Sequence, residues 1–149
     1  MKPNILVIDS ATTEPTPAVV ELATRLARHS YVYLICPGCG FREDTPEGVR
    51  FLSHDPAAPP EFGQLDGVVT FARGVPIAPL CHRYPAVPVF REPEESQVAA
   101  ILQAATAYRA RAAEAWQMRP QPAPALGKRT HPRLSQEPAT TASHYSRAA

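Results

Sequence analysis

Two short aliphatic runs, separated by one helix-length segment, constrain the fold of this chain more than any other feature. The runs are NILVID, residues 4–9, and YVYLIC, residues 31–36. Both lack polar alternation, which is typical of strands buried on both faces of a parallel sheet. Between them, Thr16 can cap a helix that begins at Pro17 and ends near His29 and Ser30. The pattern predicts two parallel strands joined by a right-handed helical crossover.

Three further strands and a long helix complete the predicted domain. The strands are VRFL, GVVTFA and VPVF, at residues 49–52, 67–72 and 87–90. The alanine-rich segment from Glu94 to Met118 has no Gly or Pro and predicts a long helix, with its part beyond Tyr108 overhanging the core. We therefore expect an α/β fold, a Rossmann-like open parallel sheet of about five strands with flanking helices, in the order 3-2-1-4-5.

The composition changes abruptly after Met118. Residues 119–149 contain five prolines and almost no aliphatic side chains, and they carry five basic residues against one acidic residue. Such a segment buries too little apolar surface to offset the entropy of ordering it. We therefore predict a Rossmann-like domain over residues 1–118, and a disordered Pro/Ala-rich basic tail over residues 119–149 that could meet an anionic partner.

The overall charge gives no reason to expect a polyanionic partner for the domain. The net charge is +1 and the pI is about 7.8, so no global field attracts nucleic acid or an anionic membrane. No apolar stretch approaches the roughly 20 residues that cross a bilayer, and no export signal is recognisable. Three cysteines are an odd and sparse set, which is typical of a reducing interior. We expect a soluble, cytoplasmic protein.

The segment Cys36-Pro37-Gly38-Cys39 matches half of a zinc ribbon. A structural zinc site needs four ligands, however, and no second Cys-x-x-Cys pair is present. A redox role would need a helix that begins at Cys36, whereas the residues that follow predict a loop. We therefore predict a turn after the second strand and no metal. The alternative is a metal site formed by Cys36, Cys39, His54 and Cys81.

The carboxyl edge of the sheet is the expected place for a ligand, because open α/β sheets bind ligands where the strand order reverses. In the order 3-2-1-4-5 that point lies between strands one and four. The loop after strand one, SATTEPT, has no glycine, so we expect no dinucleotide and no other cofactor. No catalytic residue is assigned. The edge could bind a small polar group or nothing, and the candidate ligand-binding residues are Asp9, Ser10, Thr12, Thr13, Arg73 and Gly74.

Four stretches within residues 4–92 form a recognisable series, NILVIDS, LATRLARHSYVYLICPG, EGVRFLSHDP and DGVVTFARG. The series resembles the N-terminal half of the two-domain, GT-B-type glycosyltransferases. In that family a similar helix runs into a strand that ends in Cys-Pro-Gly or its like, and Cys36-Pro37-Gly38 stand at that position here. The chain departs from the family in the loop after strand one, where members usually carry glycine.

The resemblance implies a domain that binds an acceptor or pairs with a separate catalytic subunit. In the family, the second half holds the nucleotide-sugar, and catalysis needs both halves to position donor and acceptor. No second half is recognisable in these residues, so we expect no sugar transfer by this chain alone. Two alternatives are a non-enzymatic protein-interaction module and a receiver-like domain. The second would use Asp9, Arg91-Glu92-Pro93 and, as phosphoacceptor, Asp55.

Overall fold

Strands and helices alternate along the chain in the computed structural model, which describes residues 1–9, 14–37, 45–52, 60–71 and 77–120. The strands are β1 (Asn4–Ile8), β2 (Tyr31–Ile35), β3 (Val49–Leu52), β4 (Gly67–Thr70) and β5 (Val89–Arg91). The helices are α1 (Pro17–Ala27), α2 (Ala78–Arg83) and α3 (Val98–Gln117), the last preceded by one 3₁₀ turn (Glu95–Gln97).

The five strands form one parallel sheet in the order β3-β2-β1-β4-β5. The central strand, β1, pairs with β2 on one side and β4 on the other, so that Ile5 lies beside both Val32 and Gly67. The short strands β3 and β5 are the two edge strands of the sheet. The predicted Rossmann-like α/β fold, its strand order and its parallel β1–β2 pair are confirmed.

Alternate residues of the strands enter two hydrophobic clusters, one on each face of the sheet. Ile5 and Val7 of β1 belong to the cluster that includes the buried residues of α1 and α3. Leu6 and Ile8 belong to the second cluster, which includes Leu80 of α2. Both faces of β1 are therefore covered, which accounts for its uninterrupted aliphatic sequence.

Helix α1 begins where the sequence predicts and ends slightly earlier. The Thr16 hydroxyl accepts a hydrogen bond from the Val19 N–H (3.4 Å), and Pro17 occupies the first turn. The helix ends at Ala27 rather than at His29 or Ser30. The Leu26 carbonyl, in the last turn of the helix, accepts hydrogen bonds from the Ser30 hydroxyl (2.6 Å) and from the His29 N–H (3.1 Å).

The turn before β3 packs closely against the end of α1. Gly48 has a φ of +81°, and a Cβ atom placed there would lie 3.2 Å from both the Cβ and the carbonyl oxygen of Ala27. Both the backbone conformation and the available space therefore favour glycine. This close approach lets the chain enter β3 beneath α1.

Helix α3 packs on the sheet only through its first half. Ile101 and Ala105 are buried, Tyr108 is half-buried, and Trp116 is 70% exposed. A Cβ atom on Gly67, the first residue of β4, would lie 3.4 Å from the Ala105 Cβ. Because α3 passes the amino end of β4 near Ala105, its later residues project beyond that edge. The predicted overhang is confirmed.

A buried carboxylate connects α3 to the amino edge of the sheet. Asp66, which is fully buried, accepts hydrogen bonds from the Asn4 N–H (2.8 Å), from Nε2 of Gln64 (2.6 Å) and from Nη1 of Arg109 (2.7 Å). Burial of a carboxylate is costly unless such partners are present. The three bonds fix α3 relative to β1 and β4.

The chain divides into two units, residues 1–117 and residues 118–149. The first contains every helix and strand given above. Residues 121–149, which include almost all of the segment predicted to be disordered, lie outside the described residues. Among the residues that are described, no helix combines the length and the apolar character needed to span a membrane.

Candidate ligand site at the carboxyl edge of the sheet

The connections between strands change direction at the boundary of β1 and β4. From β1 the chain moves outward to β2 and β3, and it then crosses back to β4 and β5 on the other side. The helices that follow neighbouring strands diverge at such a point and leave a crevice outside the carboxyl ends of the strands. A ligand is therefore expected to contact the residues that follow β1 and β4.

Asp9 lies at this edge, immediately after β1, and its residue is only 1% exposed. Its N–H extends the strand ladder by donating to the Ile35 carbonyl (2.9 Å). One carboxylate oxygen accepts a long hydrogen bond from the Thr16 N–H (3.4 Å). Asp9 thus connects the end of β1 to the start of α1. This contact gives Asp9 a structural role that does not depend on a ligand.

The ends of β4 and β5 bring two further polar residues to the same edge. Thr70, the last residue of β4, is buried, and its carbonyl accepts a hydrogen bond from the Glu92 N–H (2.8 Å). Glu92 has a φ of +45°, in the left-handed region that only a few per cent of non-glycine residues adopt. Strained conformations of this kind cluster at functional sites, and this one directs the chain from β5 toward α3.

Thr70 and Glu92 are not among the residues predicted for the candidate site. Thr70 is the polar member of the otherwise apolar run GVVTF, and that isolated polarity could have identified it. The backbone conformation of Glu92 leaves no comparable signal in the sequence.

The start of α1 offers few backbone donors to an anion. Pro15 and Pro17 have no N–H group. The N–H groups of Thr16, Val19 and Val20 already donate to Asp9, to the Thr16 hydroxyl and to the Thr16 carbonyl. A phosphate at a helix N-terminus is normally held by such backbone groups. The described part of this loop is therefore poorly suited to a phosphate.

The surface beside this helix start is acidic and apolar. A shallow depression of about 450 Å³ adjoins the first turns of α1 and the edge strand β3. It is lined by Glu14, Pro15, Pro17, Val20, Glu21, Pro46 and Phe51, which include two carboxylates and no basic residue. Asp9 and Glu92 add carboxylates along the same edge. Arg91, the exposed last residue of β5, adds one positive charge at that edge. The described surface beside the start of α1 therefore disfavours a phosphorylated ligand and tolerates a neutral or cationic one.

Of the candidate ligand-binding residues, the structure describes Asp9 alone. Ser10, Thr12, Thr13, Arg73 and Gly74 lie outside the described residues, so the predicted grouping of these side chains with Asp9 stays a prediction. The phosphoacceptor candidate Asp55 lies outside them as well.

The alternative metal site falls partly outside the described residues. Cys36 follows β2, where it is buried and donates its N–H to the Leu52 carbonyl (3.4 Å). Cys81 lies on α2, partly buried against the second hydrophobic cluster. Cys39 and His54 are not described. The described residues contain no group of three or more His, Cys, Asp or Glu residues that could hold a metal ion.

Comparisons with protein-family models, with curated proteins and with solved structures found no match to this chain.

Proposed function

We propose that this chain is a binding domain built like the N-terminal half of a GT-B-type glycosyltransferase. In this proposal the carboxyl edge of the sheet holds an acceptor group or a partner, and the chain does not transfer sugar by itself. The observation that carries the proposal is the 3-2-1-4-5 parallel sheet, whose change of direction places the buried Asp9 beside the end of β4.

The electrostatics of the rim support a neutral or cationic ligand over a nucleotide. Asp9, Glu14 and Glu92 are acidic, the N–H groups of Thr16 and Val19 already donate to Asp9 and to the Thr16 hydroxyl, and Pro17 has no N–H. A nucleotide-sugar would bring its diphosphate against these carboxylates. A sugar hydroxyl or a sugar ammonium group, in contrast, could donate hydrogen bonds to them.

The test is a set of NMR titrations that follow the backbone amides of the labelled protein. Glucose and glucosamine serve as the neutral and cationic probes, and UDP-glucose serves as the phosphorylated probe. We expect glucosamine to shift the amide signals of Asp9, Thr70 and Glu92 more than glucose does, and UDP-glucose to leave them unchanged. Tighter binding of UDP-glucose, or shifts at none of these amides, would contradict the proposal.

A pair of variants separates rim binding from a general charge effect. Glu92→Gln removes one negative charge at the carboxyl edge, whereas Glu114→Gln removes one from the exposed end of α3. We expect the first substitution to weaken glucosamine binding severalfold and the second to leave it unchanged. Equal effects of the two variants would show that glucosamine responds to net charge instead of to the rim.

A second candidate function is protein interaction without catalysis. The observation in its favour is the distal half of α3, where residues 113–117 are exposed and include Trp116. Tryptophan is enriched in protein interfaces.

The receiver-like and zinc-binding alternatives have weaker support. Receiver domains have the flavodoxin-like order 2-1-3-4-5, in which strands one and three are neighbours. Here β1 lies between β2 and β4. Of the four alternative metal ligands, the described residues include Cys36 and Cys81. Incubation with acetyl phosphate and metal analysis of the purified protein would test these alternatives directly.

A further inference from the structure

An open depression lies where β1, β2 and β3 begin, at the opposite end of these strands from the candidate ligand site. It has a volume of about 590 Å³, and its lining includes Lys2, Arg28, Tyr31 and Glu47. Lys2 lies two residues before β1, Tyr31 is the first residue of β2, and Glu47 lies two residues before β3. Arg28 directly follows α1. Four segments of the chain thus bring one aromatic and three charged side chains to one place.

The three charged side chains of the depression have no partners of opposite charge within the described part of the protein. All three are exposed, and no ion pair among the described residues involves Lys2, Arg28 or Glu47. Arg109, by comparison, is paired with the buried Asp66 (2.7 Å). The charges of the depression are therefore available to a ligand.

The backbone beneath the depression is held by close contacts between its segments. The Tyr31 N–H donates to the Pro3 carbonyl (2.9 Å), which keeps the segment that carries Lys2 beside the start of β2. Gly48 packs against Ala27 at the end of α1, so closely that a Cβ atom on the glycine would lie 3.2 Å from the alanine Cβ. The fold therefore sets the distances between the positions that carry the charged groups.

Two further groups limit what the depression can accept. The Tyr31 ring is 54% exposed, and the Lys2 ammonium lies 5.9 Å from its centroid, which is a cation–π contact. Thr24, which also lines the depression, donates its hydroxyl proton to the Val20 carbonyl (2.7 Å). The Thr24 oxygen is thus left as an acceptor, and with the Glu47 carboxylate it favours a donor group on the ligand.

We propose that this depression binds a free acidic amino acid, such as glutamate or aspartate. The site offers two cations and one carboxylate, and an acidic amino acid carries two carboxylates and one ammonium group. The ligand carboxylates pair with Lys2 and Arg28, and its ammonium group donates to Glu47 and to the Thr24 hydroxyl oxygen. A phosphate would match the two cations but would place negative charge beside Glu47, and a neutral sugar would leave all three charges without a counter-charge.

The exposure of the charged groups sets the expected strength of binding. Ion pairs between exposed groups contribute little each and are screened by salt. We therefore expect weak binding that declines as sodium chloride is added, and a loss of about threefold in affinity for each charged group removed.

The proposal is tested by NMR titration of the labelled full chain at constant ionic strength. The ligands are L-glutamate, L-glutamine, which lacks the second carboxylate, and glutarate, which lacks the ammonium group. We expect glutamate to shift the amide signals of Arg28, Tyr31 and Gly48 and to bind more tightly than either analogue. Equal or tighter binding of an analogue, or shifts at none of these amides, overturns the proposal.

Variants assign the two halves of the ligand to their partners. Arg28→Gln should weaken glutamate binding about threefold, whereas the matched control Arg91→Gln, which removes an exposed charge on β5, should leave it unchanged. Glu47→Gln should weaken binding of glutamate and strengthen binding of glutarate, because only glutamate has an ammonium group for that carboxylate. Equal effects of Arg28→Gln and Arg91→Gln, or the same direction of change for both ligands in Glu47→Gln, contradict the proposal.

The amide spectra of the variants establish that each one keeps its fold. The amides that report on this depression differ from those of Asp9, Thr70 and Glu92 at the carboxyl edge, so the two sites are measured separately in one spectrum. Failure of glutamate binding here therefore leaves the function proposed for the carboxyl edge unaffected, and the reverse also holds.

Discussion

Helices α1 and α3 lie on the same face of the sheet but differ greatly in how much of their surface they bury. Helix α1 has 11 residues, five of which are buried, whereas α3 has 20 residues, two of which are buried. A strand of five residues spans about 17 Å, and a helix of 11 residues spans about 16 Å, so α1 matches the sheet that it covers. Helix α3 is about 30 Å long and exceeds the sheet by nearly half its length. Burial therefore depends on the length of the sheet as well as on the apolar pattern of each helix.

Because α1 buries more of its surface than α3, we expect the largest loss of folding stability when a buried side chain of α1 is truncated. Leu26 is fully buried between α1 and the sheet, so Leu26→Ala should lower the free energy of unfolding by about 2–4 kcal/mol through lost burial and a residual cavity. Urea denaturation measures this change. As the matched truncation in α3, Trp116→Ala should lower the free energy of unfolding clearly less, because Trp116 is 70% exposed. Similar losses for the two variants would contradict the comparison.

The next largest effect is expected where α3 is attached to the sheet. Arg109→Met removes the guanidinium from the buried Asp66 carboxylate and should cost about 1–3 kcal/mol. The lower part of the range reflects the partial exposure of Arg109, whose side chain is 21% accessible. Arg109→Lys, which keeps the charge, should recover part of the loss in urea denaturation. A neutral result for Arg109→Met would mean that α3 needs no ionic attachment to the sheet.

A smaller effect is expected at the start of α1. Thr16→Ala removes the hydroxyl that accepts from the Val19 N–H and should lower the free energy of unfolding by about 0.5–1 kcal/mol. Thr16→Ser keeps this acceptor and should be nearly neutral. If the alanine and serine variants unfold at the same urea concentration, the cap contributes nothing to α1.

The smallest effect is expected at Tyr108, where the packed half of α3 gives way to the overhang. Burial, and secondarily the negative charge of Asp66, raises the pKa of Tyr108 above its usual value. Ionisation of the Tyr108 hydroxyl is therefore less favourable in the folded state than in the unfolded state. The stability of the folded state is unaffected by this ionisation below pH about 10, and it falls as the pH rises through the higher folded-state pKa. We expect the unmodified protein to lose stability relative to Tyr108→Phe at that alkaline pH. Comparison of the tyrosinate absorbance of the two proteins during titration isolates Tyr108, and an ordinary pKa there would contradict the expectation.

The fold was largely predictable because its strongest signals are local. Uninterrupted aliphatic runs identified β1 and β2, and Thr16 followed by Pro17 identified the start of α1. The strand order followed from general rules for parallel sheets once the short strand VRFL was placed. The Asp66–Arg109 pair was missed because it joins residues 43 positions apart, and neither residue stands out from the solvent-exposed charges around it in the sequence.

The candidate site was predictable only as a location. The rule that ligands bind where the strand order reverses identified the end of β1, and Asp9 lies there. Its hydrogen bond to the Thr16 N–H joins two residues seven positions apart, a contact that the sequence does not specify. Glu92, at the end of β5, has a left-handed backbone conformation, which non-glycine residues rarely adopt and which the sequence does not predict.

The length and charge of the edge strands β3 and β5 affect how readily the protein aggregates at high concentration. β3 has four residues and β5 has three, and each carries an exposed arginine, Arg50 and Arg91. Pro88, which lacks a donor, directly precedes β5. Foreign strands add most readily to long, flat and uncharged edge strands, whereas these edge strands are short and each carries a charged side chain. Crowded solutions of this protein should therefore resist growth of the sheet from molecule to molecule into fibrillar aggregates.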